Sequence, residues 1–490
     1  MKTFQDYLTS TQEIGYVQKL LHGLVTVIGI PSVRLFELVM LESGEIGQVI
    51  SLTPEMVEVL LFSATPIQAG TRVVRTNERL SVGLGQGILG KRLNALGEVT
   101  GLYAPIQVEE HRGVDIRPQG IMARAPIEKP LETGVAVVDL IIPLAKGQRQ
   151  LIIGDRKSGK TTFLLQTLLT QAKNGLVCVV ASIGKRAIEI RQLEDFVTAN
   201  GIQSQVVIVA SASSDPSGLI FLTPYTAMTV AEYFRDQGKD TLIIMDDLSM
   251  HAAVYREITL IARRFPGRAA YPGDIFYTHA RLMERGGNYK SKTGGSVSIT
   301  VLPVIQTAMG DLAAYITTNI MSMTDGHLYF DTQLFDQGRR PSVNPFLSVT
   351  RVGLEAQTPI QRDVSRSLQS FLVQHEKMKQ YTHFGAEVSQ GVRDTLALGD
   401  RIYTFFQQLS DEVYPIHVSI LILALLWGGL WAELEPEKMK ALMRKTIKRY
   451  QEEPAFTAQV DTLITSAPDF TALVTTAKSQ VEALHVRYDQ

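Results

Sequence analysis

This sequence lacks most features of secreted, nucleic-acid-binding and membrane-spanning proteins. Its 490 residues include a single cysteine, Cys178, which excludes an internal disulfide and fits a reducing compartment. The formal net charge of −1 argues against an extended basic surface for nucleic acid. The stretch from Met1 to Asp6 lacks the apolar core of a signal peptide. The longest apolar run, residues 418–432, falls short of the roughly 20 residues that cross a bilayer, so we expect a buried helix there.

The composition instead indicates a globular protein of about two to four domains. Hydrophobic residues make up 45% of the chain and charged residues 20%. From about Gly23 to Val82, short apolar segments with glycine-bearing turns predict a small β-barrel, within a domain at residues 1–82. Apolar strands that alternate with helical segments predict a mostly parallel sheet domain at 83–355. Amphipathic stretches then predict a helical domain at 356–490. The strand candidates of the sheet are 151–153, 176–181, 206–210, 241–245 and 297–304.

The most specific motif is Gly154-Asp155-Arg156-Lys157-Ser158-Gly159-Lys160-Thr161, which fits the phosphate-loop pattern G-x-x-x-x-G-K-[ST]. An apolar strand candidate precedes it, and a helix candidate follows from Thr162. Backbone N–H groups and the positive end of the helix dipole would then face the phosphates of a nucleotide. Lys160 is expected to neutralise the β and γ phosphates, and the Thr161 hydroxyl to complete a Mg²⁺ shell. Residues 154–162 are therefore predicted to bind ATP or ADP.

A second candidate site lies where the strand candidate 241–245 ends in Asp246 and Asp247. A carboxylate at such a strand end is suited to hold the water shell of Mg²⁺ beside a phosphate loop. An aspartate at a strand end also often starts a turn or caps a helix. Of the two residues, we favour Asp246 as the one that serves Mg²⁺.

The sequence lacks a carboxylate where a catalytic base is expected. Hydrolysis needs a residue that orients or activates the attacking water. Hexameric ATPases with this loop commonly carry a glutamate after the next strand, where this chain has Lys185. A charged lysine cannot accept a proton from water, and Glu189 would face a different direction. We therefore expect the site to bind nucleotide but to turn it over poorly.

Together these motifs resemble the alpha subunit of the F-type rotary ATP synthase. The phosphate loop is similar to that subunit's Gly-Asp-Arg-Gln-Thr-Gly-Lys-Thr. Further matching strings follow in the family's order, and the resemblance spans about residues 23–430. These strings are Asp215-Pro216, Pro224-Tyr225-Thr226, 242–249, 266–274, Phe276-Tyr277, His279, Arg281-Leu282, Glu284-Arg285, 340–353 and Phe384-Gly385.

The resemblance implies a β-barrel, a RecA-like α/β domain and a helical domain in a non-catalytic subunit that binds ATP or ADP with Mg²⁺. Such subunits alternate with catalytic beta subunits in a hexameric ring around a gamma shaft, which the loop at 271–274 is expected to face. Arg351, at the end of the sheet domain, is either an ordinary solvated charge or, as the resemblance implies, reaches into the neighbouring catalytic site. Arg340, Pro341 and Gln408 match positions that line the adenine pocket.

The family also implies a location and a task for the assembled complex. The complex translocates protons or sodium ions, and peripheral stalk subunits hold the ring. The chain is expected at the cytoplasmic face of a bacterial inner membrane, with membrane contact only through the complex. No nucleic acid is expected among its partners.

Three departures from the family pattern change these expectations. Lys157 replaces a glutamine in the phosphate loop, and Lys185 stands where alpha subunits usually have glutamine. Because added cations near phosphates can tighten anion binding or displace Mg²⁺, we expect retained nucleotide affinity with altered magnesium dependence. The chain also has little of the N-terminal helical segment that contacts the peripheral stalk. Residues 4–22 are expected to form a short helix instead, which leaves the stalk contact open.

Other functions with the same core remain open. A self-sufficient homohexameric ATPase, such as a secretion motor, would need a base where Lys185 stands. A nucleic-acid translocase of the transcription-terminator type is disfavoured by the near-neutral charge and by the lack of an aromatic and basic stretch in the N-terminal domain. A purely structural ring subunit with an empty site is disfavoured by the Lys160-Thr161 pair.

Overall fold

The computed structural model describes residues 2–101, 103–292, 294–382, 389–481 and 484. The family-like string Phe384-Gly385 lies outside these residues. The chain forms two compact units, each built from separate stretches of sequence. The first unit comprises Met1–Ala125, Ala172–Gln306 and Asp311–Thr324, and the second comprises Pro126–Gln171, Thr307–Gly310 and Asp325–Gln490.

The first unit begins with a short helix and a closed antiparallel barrel. These elements are α1 (Phe4–Thr11), β1 (Gly15–Leu21), β2 (Leu24–Ile28), β3 (Glu37–Leu41), β4 (Ile46–Leu52), β5 (Val57–Leu61) and β6 (Arg72–Arg79). The strands pair around the barrel in the order β1-β2-β5-β4-β3-β6. Val25, Val39 and Val59 are fully buried in its interior, since β-branched side chains pack well on a pleated surface. The predicted small β-barrel is confirmed.

The barrel begins earlier than the sequence suggested. Helix α1 ends at Thr11, and its first turn is capped by Thr3, whose hydroxyl accepts a hydrogen bond from the Asp6 backbone N–H. Strand β1 follows, with Tyr16 exposed and Val17 buried, as alternation in a half-buried strand requires. The expectation of a helix over residues 4–22 is therefore wrong for β1, because β1 pairs with both β2 and β6 and closes the barrel.

The middle of the chain alternates strands and helices and contributes to both units. In chain order the elements are β7 (Ser81–Leu84), β8 (Arg92–Leu93), β9 (Val99–Thr100), β10 (Glu110–Gly113), β11 (Pro130–Leu131), α2 (Ala136–Ile141), β12 (Leu144–Ala145), β13 (Leu151–Gly154), α3 (Lys160–Lys173), β14 (Val177–Lys185), α4 (Ala187–Ala199), β15 (Val206–Ala212), α5 (Ser217–Asp236), β16 (Thr241–Asp246), α6 (Leu248–Ile261), α7 (Ile275–Met283), β17 (Gly287–Lys290), β18 (Ser296–Gln306), α8 (Tyr315–Met323), β19 (Gly326–Phe330), α9 (Thr332–Asp336) and β20 (Val349–Thr350).

Outside the barrel, the main strands of each unit pair mostly in parallel. In the first unit β14 pairs in parallel with β15 and β16, and β16 pairs in parallel with β18. In the second unit β13 pairs in parallel with β19, whereas β20 is antiparallel to β19. All five strand candidates are confirmed, because strands covered on both faces read as continuous apolar runs. Strand β14 runs further than predicted and carries Lys185 as its last residue.

The second unit ends in a group of helices. These are α10 (Pro359–Thr382), α11 (Gln390–Phe405), α12 (Ile416–Trp427), α13 (Pro436–Glu452), α14 (Pro454–Ser466) and α15 (Phe470–Ser479). The longest apolar run of the sequence forms most of α12, whose residues from Val418 to Leu426 are all buried, but the helix ends at Trp427 and residues 428–432 lie beyond it. Across the described ranges no helix is long and apolar enough to cross a membrane. Barrel, mostly parallel sheet and helices together confirm the predicted fold class.

Candidate functional site

The predicted phosphate loop connects β13 to α3 within the second unit. Strand β13 ends at Gly154 and α3 begins at Lys160, so the strand, loop and helix that the motif predicts are present. A Cβ atom on Gly154 would collide with the carbonyl oxygen of Phe330. Gly159 has φ +92°, a left-handed conformation that glycine adopts without strain. Both glycines are therefore required by the backbone path of the loop.

Helix α3 presents the groups that a phosphate requires. The side chain of Lys160 is largely buried, and its Nζ donates hydrogen bonds to the carbonyl oxygens of Gly154 (2.6 Å) and Asp155 (2.5 Å). Thr161 and Thr162 are exposed in the first turn. The first N–H groups of a helix have no partner within it, and the helix dipole is positive there. This end of α3 can therefore bind an anion through N–H groups, hydroxyls and an ammonium.

Asp155 anchors the loop to other segments of the same unit. Its carboxylate accepts hydrogen bonds from the hydroxyl of Thr307 (2.6 Å), the backbone N–H of Gly310 (3.0 Å) and the hydroxyl of Thr332 (3.3 Å). Burial alone would raise the pKa of Asp155, but these hydrogen bonds and the charge of Lys160 lower it overall. The carboxylate is therefore ionised and fixes the start of the loop.

Unlike the buried Lys160, the two basic residues in the middle of the loop face solvent. Arg156 and Lys157 are exposed, and Lys157 has φ +61°, which is strained for a residue with a side chain. The remaining loop residue, Ser158, is buried, and its hydroxyl donates a hydrogen bond to the carbonyl oxygen of Asp155 (2.8 Å). The roles predicted for these three residues in nucleotide binding stay predictions.

A small aromatic cavity adjoins the segment that contains Arg340 and Pro341. The hydroxyl of Ser342 donates a hydrogen bond to the backbone oxygen of Ser158 (2.5 Å), which ties this segment to the phosphate loop. The cavity measures about 20 Å³ and is lined by Val137, Arg339, Arg340, Pro341, Val343, Pro345, Tyr403, Phe406 and Gln407. The guanidinium carbon of Arg340 also lies 3.3 Å from the ring centroid of Phe335. A cavity of this size has room for about one water molecule, so a planar base could enter only if the lining side chains moved apart.

The structure gives Gln408 a different neighbourhood from Gln407. The side-chain amide of Gln408 is buried, donates to the carbonyl oxygen of Gly134 (3.0 Å) and accepts from the backbone N–H of Ala136 (2.7 Å). Its place in an adenine pocket stays a prediction, and its observed contacts fix the chain before α2. Sequence reasoning missed Gln407 and Tyr403 as lining residues. Their only signal was proximity in sequence to Gln408, which does not show which of two adjacent amides faces the cavity.

In the first unit, Lys185 forms an ion cluster with the two aspartates after β16. Its Nζ lies 2.8 Å from Oδ1 of Asp246 and 3.6 Å from Oδ2 of Asp247. Burial alone would lower the pKa of Lys185, but both carboxylates raise it overall, so the lysine is charged. Asp247 also caps α6, since its side chain accepts a hydrogen bond from the backbone N–H of Met250 (2.7 Å). The cluster cannot accept a proton through Lys185.

Glu189, the nearest following carboxylate, is engaged elsewhere. It accepts hydrogen bonds from the backbone N–H of Arg186 (3.0 Å) and from its guanidinium (2.8 Å). This is a capping box at the start of α4, where the third helical residue satisfies the N–H of the cap. Glu189 therefore serves the helix start.

Arg351 directly follows edge strand β20. A hydrogen bond holds its backbone, and its side chain is exposed to solvent. Its N–H donates to the carbonyl oxygen of Asp325 (2.9 Å), and the residue is exposed. Within the part of the chain that the structure describes, its guanidinium makes no hydrogen bond or ion pair. Arg149 contrasts with it, because its guanidinium binds the Asp325 carboxylate at 2.7 Å. Arg351 is thus held in place with its charge unpaired.

The residues predicted for Mg²⁺ fit that ion only in part. The exposed Thr161 hydroxyl is open to a ligand, whereas the Asp246 carboxylate is already paired with Lys185. Among the described residues, no group of three or more His, Cys, Asp or Glu side chains is arranged to hold a metal ion. A water-mediated Mg²⁺ contact at Asp246 would compete with the charge of Lys185.

Two family models match the chain. The model described as the ATP synthase alpha/beta family, nucleotide-binding domain, matches residues 134–350. The model described as the ATP synthase alpha/beta chain, C terminal domain, matches residues 357–476. Together they cover more than half of the chain. The first match contains the phosphate loop, the Lys185 cluster and the Arg340-Pro341 segment.

Proposed function

Because this chain belongs to the ATP synthase alpha/beta family, we propose that it is the non-catalytic, alpha-type subunit, which binds ATP or ADP without hydrolysing it. The observation that carries the proposal is the Lys185 cluster. A charged lysine paired with Asp246 and Asp247 stands where a catalytic subunit needs a carboxylate to activate water. Glu189 does not replace that carboxylate, since it caps α4.

The proposed nucleotide site uses the phosphate loop and the aromatic cavity of the second unit. Residues 154–162 would hold the phosphates, with Lys160 as the cation, and Arg340 and Pro341 would contact the base. Gln408 supports the cavity through its hydrogen bonds to Gly134 and Ala136. Bound nucleotide would serve structure or regulation, because Lys185 stands at the sequence position where the base for hydrolysis is expected.

We further propose that Arg351 acts at the catalytic site of a neighbouring beta subunit. Its exposed and unpaired guanidinium supports this role, since an arginine held by its own chain would not be available to a partner. A guanidinium in such a site stabilises the charge that develops on the transferred phosphoryl group. The chain would alternate with beta subunits around a gamma shaft in a proton- or sodium-translocating synthase.

The test is steady-state ATPase activity of the purified full chain, alone and mixed with its cognate beta and gamma subunits. We expect no turnover by the chain alone and turnover on mixing. Arg351→Ala should lower the kcat of the mixture by roughly 10³- to 10⁵-fold without preventing assembly. Arg191→Ala, which removes an exposed arginine of α4, is the matched control and should leave kcat unchanged.

Two results would contradict this proposal. Turnover by the chain alone would show that the ring needs no second subunit type, as in a homohexameric motor. Unchanged kcat in the assembled Arg351→Ala complex would show that Arg351 is an ordinary surface charge.

A further inference from the structure

The aromatic cavity of the second unit is filled largely by the protein's own side chains. Its free volume of about 20 Å³ has room for about one water molecule. Two of its lining residues, Arg339 and Tyr403, are in direct contact, since the guanidinium carbon of Arg339 lies 4.1 Å from the ring centroid of Tyr403. A guanidinium over an aromatic ring at this distance forms a cation–π contact. Arg339 therefore covers one face of a ring that lines the cavity.

Tyr403 is the fixed partner in this contact. Its hydroxyl donates a hydrogen bond to the Glu376 carboxylate (2.9 Å). Its ring also makes a T-shaped contact with the ring of His375, with 5.6 Å between the two centroids. His375 is fully buried, so the tyrosine ring rests on a part of α10 that is itself held in place. The position of the Tyr403 ring is thus set by contacts other than the one with Arg339.

Arg339 is the partner that can move. Its backbone is held at both polar groups, since its N–H donates to the carbonyl oxygen of Leu334 (3.0 Å) and its own oxygen accepts a hydrogen bond from Nη1 of Arg340 (2.8 Å). The Arg339 side chain is half-buried, so rotation about its own bonds can carry the guanidinium into water while the backbone stays in place. Arg340 does not take over the Tyr403 ring, because its guanidinium binds the carbonyl oxygen of Phe335 (2.6 Å).

A guanidinium and a nucleotide base are both planar, and both stack on aromatic rings. We propose that Arg339 occupies the place of the base, so that the base of a bound nucleotide must displace its guanidinium from Tyr403 in order to stack there. The inference rests on the proposed nucleotide binding and names a specificity-determining residue of that site. The lost contact offsets part of the gain from stacking. Arg339 therefore lowers the affinity for a nucleotide without lowering the affinity for an inorganic polyphosphate.

The experiment measures the dissociation constants of ATP and of inorganic tripolyphosphate for the full chain, by titration calorimetry in one Mg²⁺ buffer. Tripolyphosphate has the three phosphates of ATP and no base. Since a cation–π contact changes an equilibrium constant by about 2- to 30-fold, Arg339→Ala should bind ATP about fivefold or more tighter than the native chain does. It should bind tripolyphosphate no more tightly. Lys173→Ala removes an exposed lysine at the end of α3 and should leave both constants unchanged.

A second pair of variants tests whether the base stacks on Tyr403. Arg339→Ala combined with Tyr403→Leu should lose the gain in ATP affinity, because the ring is gone. Arg339→Ala combined with Tyr403→Phe keeps the ring and should retain the gain. Both combinations remove the hydroxyl that binds Glu376, so the second controls for the loss of that hydrogen bond. Equal ATP affinity in the two combinations, or loss of the gain in the combination with Phe, would overturn the proposed stacking.

The outcomes for Arg339→Ala separate this inference from the function on which it rests. Tighter ATP binding with tripolyphosphate binding no tighter supports the inference. A gain for ATP of less than about fivefold would overturn it. An equal gain for ATP and tripolyphosphate would also overturn it, because Arg339 would then act on the phosphates. If neither the native chain nor Arg339→Ala bound ATP or tripolyphosphate, the proposed nucleotide binding would be overturned, and the inference would fall with it.

Discussion

At the scale of single residues, two adjacent glutamines have separate tasks. Gln407 lines the aromatic cavity with Arg340 and Tyr403. Gln408 is buried, and its amide satisfies one backbone acceptor and one backbone donor before α2. A buried backbone group that loses its partner costs about 1–3 kcal/mol, whereas a lining residue contributes only when a ligand is present. We therefore expect Gln408 to affect the stability of the chain and Gln407 to affect its affinity for a ligand.

We predict that Gln408→Ala lowers the stability of the chain by about 1–3 kcal/mol, because it leaves Gly134 O and Ala136 N–H unpaired. Gln407→Ala should leave stability within about 0.5 kcal/mol of the native value but weaken ADP binding. Denaturant midpoints and ADP titrations of both variants check this. If Gln408→Ala weakened ADP binding at unchanged stability, Gln408 would itself contact the base, as the family resemblance implies.

At the scale of elements, α6 and α7 meet through a buried histidine pair. Nδ1 of His251 lies 3.1 Å from Nε2 of His279, and Nε2 of His251 lies 3.1 Å from the carbonyl oxygen of Phe221. Burial lowers the pKa of His251 to about 4 and the pKa of His279 well below its usual value. Within the described chain, Nδ1 of His279 has no hydrogen-bond partner, so a protonated His279 would leave a buried N–H without an acceptor.

The pair predicts a loss of stability in acid. Since the folded-state pKa of His251 lies below that of the unfolded chain, the unfolded chain binds more protons between these values. Neutral, buried His251 makes its full contribution to the free energy of unfolding above about pH 6.5. That contribution falls as the pH drops towards about 4, by up to about 3 kcal/mol. Denaturant midpoints at about pH 7.5 and about pH 5 measure the loss.

His251→Phe should reduce this acid sensitivity, because Phe cannot be protonated and can stack on Phe221, whose ring centroid lies 5.0 Å from that of His251. His111→Gln, at an exposed histidine, should leave the pH dependence unchanged. Identical acid sensitivity in the native chain and in His251→Phe would show that other groups dominate.

The elements also show what the sequence could and could not predict. Strands β14, β15, β16 and β18 were predictable because each contains a nearly continuous apolar run, as is typical of parallel strands between helices. Strand β1 was missed, since its mixed residues form a strand through pairing with β2 and with β6, and β6 lies far along the sequence. The Lys185 contact with Asp246 was likewise hidden. The sequence places each residue at a strand end, but only the pairing of β14 with β16 brings them together.

At the scale of the whole molecule, the second unit gathers its candidate site from distant stretches of sequence. The Asp155 carboxylate of the phosphate loop accepts hydrogen bonds from Thr307 and Gly310, and the backbone oxygen of Ser158 accepts one from the hydroxyl of Ser342. The local motif was predictable because its residues are contiguous. The hydrogen-bond partners that anchor the motif were not predictable, since they come from two other stretches of the chain, 307–310 and 325–490. A ligand bound to the loop would brace these stretches together and oppose their separation on unfolding.

We therefore predict that ADP raises the thermal unfolding midpoint of the full chain in a concentration-dependent way. A ligand that binds only the folded state adds about 2.7 kcal/mol at a hundredfold excess over its dissociation constant. Lys160→Ala should abolish the shift because it removes the buried ammonium of the loop, whereas Lys173→Ala on the same helix should retain it. Thermal scans with and without ADP, in Mg²⁺ and in EDTA, provide the comparison. A native chain that unfolds at the same temperature under all four conditions would be a structural ring subunit whose phosphate loop holds no nucleotide.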